Sequence, residues 1–387
     1  MTVEHSDFSD GWGDFEGRAW INAAHQGALP RAAAAEAREA IEWKLAPRNL
    51  TPERFRGVPD RLRTALGRLV HAPPEEIILG NSTSYGLHLV AQALPWEPGD
   101  EVLVMAGDFP ADILPWLALE QRTDVTVRRI RPAGRVIEPE DLLAALGPRT
   151  RLLCTTWVHS FSGYTIDLDG LGEICQQHGV AFLLNATQGL GAAPLNTRTA
   201  PIDGLVSAGH KWLCGPYGTG ICWLRPELRE RFRQVKAYWL AMQTQEQLGD
   251  AVADVELKQG LGARAFDVFG TANFFNFKPL AASVELLLEV GIDEVRGHDQ
   301  ALVSRLIAGL PEGFELLSLP DGPRRSTLVF ISHRDAEQNR AVHAALAAAG
   351  VDIALRNGAL RLAPHLYNTA ADIDRALTVL HSFPSSS

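Results

Sequence analysis

Ser207-Ala-Gly-His-Lys-Trp-Leu-Cys-Gly-Pro-Tyr-Gly-Thr-Gly220 is the stretch on which the reading of this chain turns. A short β-rich run, Leu205-Ser207, leads into it, and another, Gly220-Leu224, follows. Lys211 therefore sits in a glycine-rich turn beyond a strand end. The chain carries five lysines against 31 arginines, so arginine supplies most of its surface cations. An amine held among apolar walls or beside other cations loses its proton more readily and becomes a Schiff-base nucleophile. The alternative is an ordinary lysine in a Gly/Pro turn.

Similar β-rich runs precede it at Ile77-Leu79, Val102-Met105, Val125-Ile130, Leu152-Thr156 and Val180-Leu184. Helical stretches lie between most of them: Ser84–Ala93, Pro110–Glu120, Pro139–Leu146 and Leu168–His178. Near-continuous apolar strands alternating with helices predict an α/β fold with a largely parallel sheet covered on both faces. Ligands of such sheets bind beyond the carboxyl ends of the strands.

Two helices, 31–45 and Asp60–Val70, come before this alternation. After about residue 275 the pattern changes to helices Pro279–Val290 and His298–Gly309, then Phe314-Leu317, a strand Ser326-Ser332, a helix Ala336–Ala349, a strand Ala359-Ala363 and a helix Ala371–His381. The expected division is a segment 1–50 serving the small domain and the way into the site, a large domain 51–275, and a small α+β domain 276–387.

At 387 residues, 46% apolar and 21% charged, the composition is that of a soluble globular protein. A net charge of -10 without a basic stripe argues against nucleic acid. Arg128-Arg129-Ile130-Arg131 reads as a solvated face or strand end. The four cysteines, Cys154, Cys175, Cys214 and Cys222, show no CxxC spacing. They suggest a reduced, cytoplasmic protein without a disulfide framework. No metal site, signal core or membrane span is expected, and the tail Pro384–Ser387 reads as frayed.

The strand ends carry chemistry in series. Gly80-Asn-Ser-Thr-Ser-Tyr-Gly86 opens a helix, and hydroxyls with backbone N–H groups there can cradle a phosphate. Gly107-Asp-Phe-Pro-Ala-Asp112 sets Phe109 at the same edge, where a ring can stack on a flat cofactor. Val158-His-Ser160 offers His159, and Asn185-Ala-Thr-Gln188 ends the next strand before Lys211.

With these motifs the chain resembles the class V aminotransferase family of pyridoxal-phosphate enzymes, in its isopenicillin N epimerase-like and cysteine desulfurase-like branch. Asp108-Phe-Pro-Ala-Asp112 is also similar to kynureninases. Trp20-Ile-Asn-Ala-Ala24 and Arg361-Leu-Ala-Pro-His-Leu-Tyr-Asn-Thr369 resemble the family's N-terminal segment and C-terminal signature. The resemblance implies fold type I, with a mostly parallel seven-stranded sheet in the large domain. It makes pyridoxal 5′-phosphate the cofactor and Lys211 its Schiff-base residue. It puts Ser82 and Thr83 on the phosphate with His210 beside it, Phe109 over the pyridine ring, and Gln188 toward the phenolic oxygen. His159 would donate within the site. Gly270-Thr-Ala-Asn273 would bring Thr271 to the phosphate of a neighbouring subunit, implying a homodimer with shared sites. Arg361 would hold the substrate carboxylate, with Arg356 and Asn22 also in that pocket, and Phe55, Arg56, Tyr217 and Tyr238-Trp239 are candidates for specificity.

Three departures from the family matter. Arg356-Asn-Gly-Ala-Leu-Arg361 is too short for the loop that carries a persulfide-forming cysteine, and the last cysteine is Cys222. Ala208 stands where relatives have a serine, with Ser207 one place earlier. Asn185 stands where the family has the aspartate that keeps the pyridine nitrogen protonated. An amide keeps a hydrogen bond but loses most of the charge effect.

The expected activity is therefore that of a lyase that expels a leaving group quickly. The substrate would be an amino acid or a cysteine S-conjugate, cleaved by β-elimination of its C–S bond in natural-product metabolism. Alternatives within the fold are an aminotransferase or epimerase, and an O2-dependent decarboxylating deaminase. A non-catalytic binding protein retaining the fold is the alternative from another class.

Overall fold

Seven apolar runs without alternation need cover on both faces, and one sheet accommodates them all. In a computed structural model, which describes residues 8–233, 235–242 and 256–383, β1 (Ala19–Trp20) lies apart from this sheet. The sheet consists of β2 (Ile77–Gly80), β3 (Glu101–Met105), β4 (Thr126–Ile130), β5 (Thr150–Thr156), β6 (Ala181–Asn185), β7 (Gly204–Ala208) and β8 (Gly220–Leu224). Their order is β2-β8-β7-β6-β5-β3-β4. Only β8 runs opposite to the other six. Strands β2, β6, β7 and β8 are buried at every residue, as a sheet covered on both faces requires. Strand β4 is an edge, which lets Arg128 reach solvent and pair with Glu101 at 2.8 Å.

Helix α1 (Arg31–Leu45) packs against the helix Phe274–Val290, while α2 (Pro52–Val70), α3 (Thr83–Ala93), α4 (Leu114–Glu120), α5 (Pro139–Ala145) and α6 (Leu168–His178) cover the sheet. Local chemistry sets their ends. Asp167 caps α6 by accepting from the Gly170 N–H at 3.1 Å, and Gly179 ends it in the left-handed region at φ 66°. Boundaries differ from expectation in several places; the helix expected from His298, for example, begins at Ile292. The helix expected from Asp60 begins at Pro52, and the one expected from Pro279 spans Phe274–Val290. Pro59 and Pro279 thus lie inside helices. The expected Pro110–Glu120 helix is instead a 3-10 turn, Pro110–Asp112, followed by α4. Pro115 sits in the first turn of α4, where a missing N–H is harmless.

Beneath the large sheet, Phe277, Leu280 and Val284 of helix Phe274–Val290 join the main apolar core. A second, antiparallel sheet contains β9 (Phe314–Leu316), β10 (Val329–His333), β12 (Ala354–Arg356) and β13 (Ala359–Leu362), while β11 (Val351–Asp352) pairs in parallel with β1. It has its own apolar cluster, which includes Ile21, Val303, Ile331, Leu346 and Ile373. From β1 the N-terminal segment runs on to the Lys211 turn, where Gly27 N–H donates to the His210 carbonyl at 2.9 Å. A Cβ on Gly27 would collide with the Lys211 carbonyl, so only glycine allows this approach.

No helix among the described residues is long and apolar enough to cross a membrane. No cluster among them has the makings of a metal site. The tail Pro384–Ser387 lies outside the described residues.

Candidate active site

The carboxyl ends of β2, β5, β6 and β7, with the turn after β3, open into a cavity of about 510 Å3. Nine of the residues singled out in the sequence line it: Ser82, Thr83, Phe109, Asn185, Gln188, His210, Lys211, Arg356 and Arg361. Tyr217 lines it as well. His159, Ser207, Thr271 and Asn22 do not.

One end suits an anion. Ser82 caps α3, accepting from the Tyr85 N–H at 3.1 Å, and the first amides of a helix have no intrahelical acceptor. The loop can lie this close because β8 begins with Gly220, where a Cβ would press on Ser82 backbone and the Ser207 carbonyl. Thr83 Oγ1 lies 2.6 Å from Thr187 Oγ1, and the Ala208 N–H donates to Thr187 at 3.3 Å. Thr187 therefore puts a hydroxyl beside Ala208.

The middle is cationic. Burial and the Arg361 charge lower the Lys211 amine to about 8, with Asp112 pulling the other way. Its Nζ lies 5.5 Å from the Phe109 ring centroid. Burial, then Lys211 and His25, bring His210 down to about 4, so its ring is neutral near pH 7. It rests against Tyr217 with centroids 4.7 Å apart. Arg361 is 3% exposed, and burial with neighbouring Arg356 lowers it to about 10. Its one hydrogen bond among the described residues is a long one, 3.4 Å to the Ser160 carbonyl, and its buried Nε has none. A buried guanidinium with spare donors is arranged to receive a carboxylate.

Asn185 and Gln188 are held from behind. The Thr187 N–H donates to Asn185 Oδ1 at 3.0 Å, and Asn185 Nδ2 donates to both oxygens of buried Asp112, at 2.8 and 2.9 Å. Burial and then Asp108 push the Asp112 carboxyl well above its ordinary range. Trp212 Nε1 donates to Gln188 Oε1 at 2.9 Å, and Gln188 Nε2 donates to the Ala24 carbonyl at 3.2 Å. Behind Trp212, buried His365 contacts its carbonyl through Nε2 at 3.0 Å and Asp299 through Nδ1 at 2.9 Å.

Three expected residues, His159, Ser207 and Asn22, fall elsewhere for physical reasons. His159 spends both ring nitrogens on the Ser162 hydroxyl, 2.8 Å away, and the Gly107 carbonyl, 3.2 Å away. The next residue, Ser160, faces the cavity instead. Ser207 precedes Ala208 in a strand, where successive side chains point to opposite faces; Ala208 lines the cavity and Ser207 is fully buried away from it. Asn22 is buried and bridges to Ala363, while Ala24, His25 and Gln26 reach the cavity. Thr271 lies in a smaller cavity with Phe55, Arg56 and Tyr238 that shares no lining residue with the first.

Sequence reasoning missed Thr187, Ser160, Phe161, His25 and Asp112. Three of them, Thr187, Ser160 and Asp112, stood inside motifs already quoted, and for Thr187 and Ser160 the signal available was their place just beyond a strand end. The set fits a phosphorylated aromatic aldehyde. It offers an amine of lowered pKa, a free helix N-terminus with two hydroxyls, an aromatic wall and an amide at the far side.

Known proteins give the same picture. A probable cysteine desulfurase of Pseudomonas aeruginosa is 30% identical over 339 residues, covering 82% of this chain and 80% of its own. Isopenicillin N epimerase of Streptomyces clavuligerus is 27% identical over 271 residues, covering 68% and 67%. Among solved structures, the cystine C-S lyase C-DES in complex with its reaction product cysteine persulfide superposes with a TM-score of 0.85 at 20% identity, covering 95% of this chain and 99% of that one. The Aminotransferase class-V profile matches residues 53–375. With more than half its length inside that profile, the chain belongs to the class-V aminotransferase family of pyridoxal-phosphate-dependent enzymes.

Proposed function

We propose that this enzyme is a β-eliminating C–S lyase acting on a cysteine S-conjugate. The observation that carries the reading is a site with lysine and carboxylate-binding arginine but no thiol. All four cysteines are buried, and none lines the cavity. Burial pushes Cys175 and Cys222 up to about 12 and Cys154 well above the thiol range. A sulfur leaving group therefore has no protein acceptor and would depart as a thiol. The similarity to a cystine C-S lyase supports the same chemistry.

Bound pyridoxal phosphate supplies an aldehyde for the substrate amine and a ring that takes up the electrons of a broken Cα bond. In this reading Ser82, Thr83 and the α3 N-terminus hold its phosphate, Phe109 covers one face, and Gln188 is oriented by Trp212. Arg361 grips the substrate carboxylate and so sets which Cα bond stands perpendicular to the ring. Lys211, with its amine near 8, removes the Cα proton as general base. Arg356 and His25 lie along the outer part of the cavity, where an anionic leaving-group side chain would meet them.

Incubation with S-substituted cysteines tests the proposal. One water consumed should yield one thiol, one pyruvate and one ammonium. Amino transfer to a keto acid, or loss of optical activity without thiol release, would rule it out. Natural-product metabolism is supported by the likeness to isopenicillin N epimerase, and a cytoplasmic setting by unpaired cysteines. We also propose a homodimer with the domain division 51–275 and 276–387, in which Thr271 serves the neighbouring site. Its absence from the lining of the Lys211 cavity supports this, and light scattering with complementation between Lys211→Ala and Thr271→Ala chains would test it.

A further inference from the structure

We infer that Asp112 supplies, across the Asn185 amide, the negative charge that keeps the ring nitrogen of bound pyridoxal phosphate protonated. The inference rests on the reading that the cofactor seats in this cavity with its ring nitrogen toward Asn185. On that basis the carboxylate missing at Asn185 has not been lost from the site. It stands one side chain further back, on the turn after β3.

The geometry leaves the amide a single orientation. The Thr187 N–H points at Asn185 Oδ1, 3.0 Å away, so the oxygen must face Thr187 and the nitrogen must face Asp112. Nδ2 then donates to both Asp112 oxygens, at 2.8 and 2.9 Å. Two oxygens sharing one donor group suit an ionised carboxylate better than an acid, whose own O–H would face a donor. Asp112 is 0% exposed, and its carboxyl makes no other hydrogen bond among the described residues. Asn185 is itself buried, yet it lines the cavity, and Oδ1 keeps a second lone pair. A carboxylate behind the amide draws its N–H and enriches its oxygen in negative charge, so the oxygen becomes a stronger acceptor for an N–H in the cavity.

The surroundings make this a conditional charge. Asp108 is buried beside Asp112, with partners of its own in the Phe109 N–H at 2.7 Å, the Thr156 N–H at 3.1 Å and the Thr155 hydroxyl at 3.3 Å. Two neighbouring carboxyls resist ionising together, and burial and then Asp108 raise Asp112. Lys211 is the cation that opposes this, and the Cys154 thiol stands nearby on β5. A further cation entering beside Asn185 would favour the ionised form. Asp112 is thus a positioning residue that acts through Asn185. Coulomb attraction falls with distance, so a charge displaced by one amide keeps a substantial part, roughly half, of its pull.

The test uses the holoenzyme loaded with cofactor labelled with 15N in the ring. Its nitrogen resonance should lie in the protonated range from pH 6 to 8. Asp112→Asn, with near-UV circular dichroism unchanged, should lower the protonated-to-neutral ratio at pH 7.5 at least tenfold. Adding Asn185→Asp to that variant should restore it. A wild-type nitrogen that is neutral throughout this range overturns the inference and needs no variant. So does a resonance that ignores Asp112→Asn. Borohydride trapping on the same samples separates the two readings. A cofactor trapped on Lys211 with a neutral nitrogen removes the role of Asp112 alone, whereas failure to trap removes the seating and the role together.

Discussion

Trp212 Nε1 donates to Gln188 Oε1 at 2.9 Å, so the residue after the reactive lysine sets which end of the Gln188 amide faces the cavity. Replacing Trp212 with phenylalanine keeps the ring and removes the donor. One lost hydrogen bond of about 1 kcal/mol corresponds to roughly a fivefold change in affinity. Trp212→Phe should therefore bind pyridoxal phosphate about fivefold more weakly by fluorescence titration, with its melting temperature little changed. A Gln188→Glu variant, unable to donate from that position, should lose more.

Arg361 has spare donors in a buried place. Arg361→Lys keeps the charge but loses the planar fork that matches a carboxylate. Steady-state kinetics should show KM for an amino-acid substrate raised by about 100-fold, as expected for a lost charge-assisted pair of roughly 2.7 kcal/mol. Cofactor absorbance should be retained. An unchanged KM would remove Arg361 from substrate binding.

Lys211 should react as the free amine. With its amine near 8, the rate of attachment of pyridoxal phosphate to the apoenzyme should rise about tenfold per pH unit below that value and level off above it. Stopped-flow absorbance checks the profile. Lys211→Ala should show no attachment at any pH.

His365 makes stability depend on pH. Burial works to lower it, but the Asp299 charge and hydrogen bond, with Cys214, raise it to about 10. A raised base stabilises the fold fully below its unfolded value near 6.5, and that contribution fades as pH climbs toward 10. Lys211, whose amine is lowered, contributes the opposite slope between about 8 and its ordinary value. Chains that differ only by His365→Gln isolate its part: from pH 7 to 10 the urea midpoint of the parent should fall relative to that of the variant. An equally steep fall in that variant would place the dependence elsewhere.

Much of this was legible because it rests on short-range signals. The seven strands could be read from apolar runs, and Lys211, Ser82, Thr83, Asn185 and Gln188 from their places at strand ends. Errors of one residue arose where neighbouring side chains diverge, as with His159 and Ser160 or Ser207 and Ala208. Two of the helices that begin earlier than expected contain a proline at or just before the expected start, Pro59 and Pro279. Sequence favours proline at a first turn, and only packing of the preceding turns reveals that a helix has already begun. Asp112 was hidden for another reason. Its partner lies 73 residues away, and nothing local marks a carboxyl as the support of a distant amide.

The approach of Gly27 to the Lys211 turn bears on biosynthesis. Ala19 pairs with Val351 and Asn22 bridges Ala363, partners synthesised long after them, whereas Gly27 meets His210, which is made much sooner. Until Val351 and Ala363 are made, residues 19–22 lack the partners that lead Gly27 into the lysine turn. A nascent chain that stops short of Val351 should therefore bring a less firmly held Gly27 to the lysine turn.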